Sequence, residues 1–494
     1  MTPGARWSRA LAGVGAALVL TSCAARARPR PALAEARPAA SALTVLAADV
    51  AAITGGQPRA TWGIAVRSLR SGESLLSHNA AALLVPGSVS KIPVAAGAAA
   101  AVGWDYAFVT TVEGTGPVEA GVLHGDVVIR GSGDPSLQGD GGVDLSAALV
   151  EALLRRGVRR IAGRVVADDN ALEEPRPGLA WSWDDLGTVS GTLVGGVNLG
   201  ENVTRIQVSP GPAAGAPARL APPADDPDFV LHNESLTGPP GSPRTIWAER
   251  RPGTPGLTVA GSLAADAPPG PLAVSVGNPT AWAARVVRAR LVAAGIDVAG
   301  PAVDLDDVSP VSPGDVLVTV TSRPLRELVR PMLKRSINLY AEALLRVPGG
   351  VAGRDAAAGI AALRPRLTTW GVPDGAMRLV DGSGLSRFNL ASADALVAVL
   401  AAHWEGGASP LVDALPVAGV DGTLATRLRG TPAAGNLRGK TGTMTHVRSL
   451  AGYVTSADGE PLAFAILVNN FEGSPAAVTA AVDAVAARLA AFRR

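Results

Sequence analysis

The chain keeps lysine at only three places, Lys91, Lys334 and Lys440, and uses arginine for every other basic residue apart from histidine. Any fold proposed for it has to account for that choice. Arginine stays protonated in proteins, whereas a desolvated lysine can give up its proton and act as a base. Each lysine is therefore a candidate for chemistry before any motif is considered. Lys91 closes Ser88-Val89-Ser90-Lys91, after the turn-forming pair Pro86-Gly87 and before an apolar run from Ile92 to Ala101. The pattern predicts a buried helix. Positions i and i+3 share a helix face, so the Ser88 hydroxyl and the Lys91 amine can meet. A helix start also offers free N–H groups and partial positive charge to an oxyanion. Pro93 disturbs a helix near its second turn, so a kink or a later helix start is expected.

Lys440 opens Lys440-Thr441-Gly442-Thr443, between a turn-like segment (Gly435 to Gly439) and an expected strand from Arg448 to Thr455. The tetrad reads as the start of an exposed strand lining a cleft, with Gly442 letting a ligand approach the main chain closely. Lys334 stands two residues before Ser336-Ile337-Asn338, ahead of a helical segment from Leu339 to Leu345. Its role stays open between structural support and site electrostatics.

S-x-x-K, S-x-N and K-T-G in that order form the signature of penicillin-binding proteins and serine β-lactamases. Over about residues 60 to 475 the chain resembles one group, the type-4 D-alanyl-D-alanine carboxypeptidase/endopeptidases, or class C low-molecular-mass penicillin-binding proteins. Matching stretches include Ser71-Gly72-Glu73, Gly131-Ser132-Gly133-Asp134-Pro135-Ser136-Leu137 and Asn338-Leu339-Tyr340-Ala341-Glu342. Later ones are Asp381-Gly382-Ser383-Gly384-Leu385-Ser386-Arg387 and the run from Leu415 to Leu424. Ser88 and Ser336 lie about half the chain apart, and a long insert between the first two motifs is typical of the group.

The resemblance implies an α/β (α+β) fold: a transpeptidase/β-lactamase-like domain of a sheet flanked by helices, interrupted by a large strand-rich insert. Residues 42–103 and 279–494 would form the catalytic domain and 104–278 an inserted region of two small lobes. Ser88 would be the nucleophile and Lys91 its base. Ser336 would relay a proton to the leaving amine, and Asn338 would hold Lys91 and the substrate amide. Lys440, still charged, would fix the substrate carboxylate with Thr441, Gly442 and Thr443, and the N–H groups of Ser88 and Thr443 would bind the oxyanion. The implied substrates are peptidoglycan stem peptides, the implied inhibitors β-lactams, with no metal or other cofactor. The chain departs from the group at Ile337, where an aspartate is usual, and between Thr188 and Asn202, which match loosely.

Arg6, Arg9 and the apolar stretch from Ala10 to Leu20 read as an export signal, too short to span a bilayer. Leu20-Thr21-Ser22-Cys23 resembles a lipoprotein cleavage box, and Cys23 is the sole cysteine, so no intramolecular disulfide can form. Lipidation of Cys23 would tether the protein to the extracytoplasmic face of the membrane. Without it the protein would be secreted or periplasmic. Residues 24–41, rich in Ala, Arg and Pro, read as a flexible tether. The formal net charge of +2 falls to neutral once Arg6 and Arg9 are removed, which argues against nucleic-acid binding.

Three alternatives compete. A Ser-His-Asp hydrolase would need a G-x-S-x-G elbow, which is missing, and His446 beside the third motif reads as a rim residue. A serine β-lactamase lacks support from the long insert. A catalytically inert wall-binding lipoprotein sits badly with three retained lysines. Asp134, in Gly-Asp-Pro, reads as a turn residue rather than a catalytic acid.

Local patterns predict a hairpin from Trp62 to Leu69 and Ser74 to Ser77, and strands from Val127 to Arg130 and from Ile161 to Ala167. Helices are expected from Leu145 to Arg156 and Ala281 to Ala294. A Pro-rich loop is expected from Ser209 to Asp228, a buried strand from Leu462 to Asn469 and a closing helix from Ala476 to Phe492, packed on the sheet.

Overall fold

A strand that is apolar at nearly every position must be covered on both faces. Pro461–Asn469 has that pattern and lies at the centre of the main sheet. The computed structural model describes residues 41–494 except 140, 227–228, 252–253, 255, 309–310 and 351–353. The expected export segment, Cys23 and the tether through residue 40 lie outside the described residues. Among the described residues no helix is long and apolar enough to cross a membrane.

The main sheet contains β1 (Thr61–Ser68), β2 (Ser74–His78), β3 (Arg438–Met444), β4 (Val447–Thr455) and β5 (Pro461–Asn469). All neighbours are antiparallel, in the order β2-β1-β5-β4-β3. Helices around it include α1 (Ala42–Gly55), α2 (Lys91–Val102), α3 (Leu325–Lys334), α4 (Asn338–Arg346), α5 (Ala393–Ala402) and α6 (Pro475–Ala490). Successive side chains of a strand point to opposite faces. Accordingly Leu462, Phe464, Ile466 and Val468 join a core with Leu46 and Val50 of α1 and Val478, Val482 and Leu489 of α6. Ala463, Ala465 and Leu467 face the other core, built with α2 to α5. The closing helix thus packs on the sheet, as its apolar spacing predicts. The hairpin of β1 and β2 also forms where expected.

α2 is apolar all round because it is enclosed all round, and every residue from Lys91 to Ala98 is buried. Pro93 is accommodated by a later start of the α-helix, at Lys91 rather than at Ser88. A 3₁₀ turn, Gly87–Ser90, runs directly into α2, leaving Pro93 as the third residue of α2, within the first turn, whose N–H groups have no partner inside the helix.

Between α2 and α3 the chain builds its strand-rich part. One lobe has a five-stranded sheet in the order 302–304, 165–168, 127–130, 109–114, 315–321, with helices Leu145–Arg155 and Pro279–Ala293 packed into its core. The other holds two three-stranded sheets within residues 203–275. Two expectations shift here. The strand expected from Ile161 to Ala167 is two short strands, because Arg160–Ile161 pairs with Val122–Leu123 whereas Val165–Asp168 pairs with Val127–Arg130 in a different sheet. Segments 279–321, assigned by sequence to the catalytic piece, share their core with the first lobe: Trp282, Val286, Leu291, Leu317 and Val320 pack with Val112, Ile129 and Val165. Among its described residues, the Pro-rich segment expected as a loop from Ser209 to Asp228 carries a short strand, Arg219–Ala221.

Candidate active site

Ser88 sits in the 3₁₀ turn and Lys91 opens α2, so the two share one face at i and i+3. Lys91 is completely buried, and its Nζ lies 2.9 Å from Ser88 Oγ. Two further acceptors meet the same nitrogen, Asn338 Oδ1 at 2.7 Å and the Ser383 carbonyl at 2.6 Å. Neither can donate a hydrogen bond back. A neutral amine has two N–H bonds and one lone pair. With the N–H bonds directed at Asn338 and Ser383, the lone pair is left for the one partner that can donate, the Ser88 hydroxyl. Burial lowers the Lys91 pKa to about 7, against the opposing pull of Asp381 and Glu342. The amine is thus poised to lose its proton near neutral pH.

Ser336 occupies the short link between α3 and α4, with φ +63°, a left-handed conformation uncommon for a non-glycine residue. Asn338 begins α4. Its Nδ2 donates to the Ser190 carbonyl, at 2.8 Å, so the inserted part of the chain helps aim the amide. Ile337, between them, packs with Leu172, Val194, Leu339 and Ala343. At the position where the resembling group has an acid, this chain therefore has an apolar anchor.

β3 brings up the third motif beside the Ser88 turn. A Cβ on Gly442 would stand 2.7 Å from the Pro86 carbonyl oxygen, and Ser449 Oγ on β4 donates to that same oxygen at 2.8 Å. Gly442 is needed for a close approach, as expected, but the approaching group is the turn that carries Ser88 rather than a ligand. The Thr443 N–H lies against this turn, where a Cβ on Gly87 would stand 3.6 Å from the Thr443 nitrogen. Lys440 is fully buried, and its Nζ donates to Ser336 Oγ at 2.9 Å and to the Thr441 carbonyl at 2.7 Å. Burial, then the charge of Lys91, hold its pKa well below the ordinary lysine value. An anionic partner in the cleft would offset this burial and favour the charge expected on Lys440.

The geometry brings Ser88, Lys91, Ser336, Asn338 and the tetrad from Lys440 to Thr443 to one cleft, while Cys23 lies outside the described residues. A model of the D-Ala-D-Ala carboxypeptidase 3 (S13) family matches residues 46–491. The chain belongs to that family. It is 36% identical over 485 residues to a D-alanyl-D-alanine carboxypeptidase of an Actinomadura species, covering 94% of this chain and 87% of that one. It is 28% identical over 417 residues to the D-alanyl-D-alanine carboxypeptidase DacB of Haemophilus influenzae, covering 83% and 85%. Its fold is similar to the crystal structure of penicillin-binding protein 4 from Haemophilus influenzae, with a TM-score of 0.78 at 26% identity, over 89% of this chain and 97% of that one. The same protein complexed with a β-lactam matches with a TM-score of 0.72 at 25% identity. The chain is a serine-type D-Ala-D-Ala carboxypeptidase, and the β-lactamase alternative is not favoured.

Other parts of this S13 carboxypeptidase support the site without appearing in the three motifs. Lys334 Nζ pairs with Asp421 Oδ2 at 2.6 Å, and Asp421 also accepts the Val417 N–H at 2.8 Å. Two residues on, the Thr423 hydroxyl accepts from Thr441 Oγ1 at 2.8 Å. Lys334 thus braces the loop that meets the third motif, which answers its open role in favour of support. The loop from Asp381 to Arg387 is tied by buried carboxylates. Asp381 accepts from the N–H groups of Gly384 and Ser386, from Asn389 and from Trp181 Nε1. Glu342 accepts the N–H groups of Gly382 at 3.0 Å and Ser383 at 2.8 Å. This brace presents the Ser383 carbonyl to Lys91. The matching stretches that contain Glu342 and Asp381 were visible in the sequence, but their tie to the base was not. Asp134 accepts from Ser136 N and Oγ, a turn role, and His446 is an exposed residue whose ring contacts Phe471.

Proposed function

We propose that the carboxypeptidase cleaves the D-Ala–D-Ala bond of peptidoglycan stem peptides through an acyl-enzyme on Ser88. The observation that carries this reading is the placement of Lys91 Nζ, 2.9 Å from Ser88 Oγ, 2.7 Å from Asn338 Oδ1 and 2.6 Å from the Ser383 carbonyl, which leaves a neutral amine a lone pair for the Ser88 proton. Neutral Lys91 takes the Ser88 proton as Oγ bonds to the peptide carbonyl carbon. The N–H groups of Ser88 and Thr443 hold the resulting oxyanion, an interaction typically worth about 10²- to 10³-fold in rate. As the C–N bond breaks, the proton passes from Lys91 through Ser336 to the leaving amine. Water then attacks the ester, giving a proton to Lys91 and restoring the Ser88 hydroxyl. The terminal carboxylate of the substrate faces Lys440, Thr441 and Thr443. An anion beside this buried amine raises the Lys440 pKa and favours the charged ammonium that binds it. β-Lactams acylate the same oxygen and leave it slowly.

We further propose that Cys23 carries a lipid anchor at the extracytoplasmic face of the membrane, on the strength of its sequence context. The domain division we favour gives residues 104–321 to the insert, supported by the shared core of 279–321 with the first lobe. The catalytic reading is tested by D-alanine release from an N-acylated peptide ending in D-Ala-D-Ala. The parent releases D-alanine and Ser88→Ala does not. Release by folded Ser88→Ala at the parental rate would assign the chemistry elsewhere.

A further inference from the structure

Beside the catalytic serine and asparagine a cavity of about 320 Å³ opens between the Arg335–Asn338 link and the inserted lobes. Its walls include Ser190, Glu201 and Arg205 on one side and Ser336, Ile337 and Asn338 on the other. Two of these, Glu201 and Ser336, are non-glycine residues held at φ +62° and +63°. Backbone strain of this kind persists where surrounding structure enforces it, and it clusters at binding and catalytic sites. The Glu201 carboxylate is already engaged by Arg335, at 3.1 and 3.2 Å. Arg205, exposed on the strand Val203–Ser209, has no hydrogen-bond or ion-pair partner for its side chain among the described residues. The wall residue at which the resembling group carries an acid is Ile337 here, so no carboxylate comes from that position to meet a cation. The cavity therefore offers a free guanidinium.

Its place gives that cation a use. Ser336 lines the cavity, and its Oγ accepts from Lys440 Nζ at 2.9 Å. The cavity thus begins one side chain away from the lysine assigned to the leaving group's carboxylate. We infer that it is a subsite for the side chain of the leaving residue, and that Arg205 selects leaving residues bearing a second carboxylate. The inference rests on the peptidase reading above and deepens it: besides D-Ala–D-Ala, the site accepts larger leaving residues, and among these it favours a dicarboxylate residue over its neutral isostere.

Three peptides with one common donor and D-Ala–D-Ala, D-Ala–D-Gln or D-Ala–D-Glu termini separate the possibilities, assayed with the full chain, Arg205→Ala and Arg205→Glu. D-Glu and D-Gln differ in charge but hardly in shape. The parent should favour D-Glu over D-Gln in kcat/KM by about two- to fivefold, the effect of a partly exposed ion pair, and added salt should shrink the ratio. Arg205→Ala should bring the ratio to one, and Arg205→Glu should invert it. Neither variant should change D-Ala–D-Ala cleavage or the rate of penicillin acylation. An equal ratio in parent and Arg205→Ala overturns the inference. So does a proportional loss on all three peptides and on penicillin, which would make Arg205 a structural residue. A parent that is acylated by penicillin yet shows no preference leaves the peptidase reading intact and removes only the subsite. A parent that is neither acylated nor active removes both.

Discussion

Lys91→Arg should reduce acylation of Ser88 by about 10²- to 10⁴-fold, the usual range for loss of a general base. The substitution keeps a positive charge and N–H donors, but a guanidinium does not give up its proton in a protein. The chain itself suggests the experiment, since arginine stands at nearly every other basic position. In the parent, the rate should rise about tenfold per pH unit below pH 7, because only the neutral amine can take the Ser88 proton. It should level off above the Lys91 pKa of about 7. The variant should lose this rising limb as well as the rate. Stopped-flow acylation by a chromogenic β-lactam, with thermal unfolding as a check on folding, measures both. A folded Lys91→Arg protein within tenfold of parental rate would remove Lys91 as the base.

Replacing Glu342 should produce the second large effect, in stability as well as rate. Its carboxylate is buried, accepts two backbone N–H groups and meets Arg346 Nη1 at 3.1 Å, while Arg346 also pairs with Glu173 at 2.7 Å. Burial and the neighbouring Asp381 push the Glu342 pKa up, and Arg346 and the Ser383 N–H pull it back. Glu342→Ala leaves Arg346 short of a partner and two N–H groups without acceptors. Breaking a buried pair in this way costs about 3–5 kcal/mol, readable by urea unfolding. Glu342→Gln preserves an acceptor oxygen but removes the charge that raises the Lys91 pKa, so its rising limb should move to lower pH. A lowered plateau with an unmoved midpoint would make Glu342 a packing residue with no influence on the base.

The parts of this account that sequence reveals are those written in side-chain type at short range. Ser88 and Lys91 are one helical turn apart, and the apolar run in β5 shows a strand buried on both faces. The parts it hides depend on main-chain atoms or distant partners. The carbonyls of Ser383 and Ser190 orient Lys91 and Asn338, yet a carbonyl is common to every residue and leaves no trace in sequence. Lys334 looked ambiguous because Asp421, its partner, comes from a separate loop. Gly442 was rightly singled out for a close approach, but only folding identifies Pro86 as the neighbour. The complete burial of Lys440, which lowers its pKa, is hidden for a similar reason: it is a property of the assembled cleft. Helix Pro279–Ala293 looks the same from sequence whichever domain it joins, and the partners of Trp282 and Leu291 decide.

The central claim is that Ser88 becomes acylated, and mass spectrometry of the protein after exposure to penicillin tests it most directly. The parent should gain the mass of one penicillin, located on the peptide containing Ser88, while Ser88→Ala with unchanged thermal unfolding should gain none. A modified Ser88→Ala protein, or a folded parent that neither gains mass nor consumes penicillin, would contradict the account.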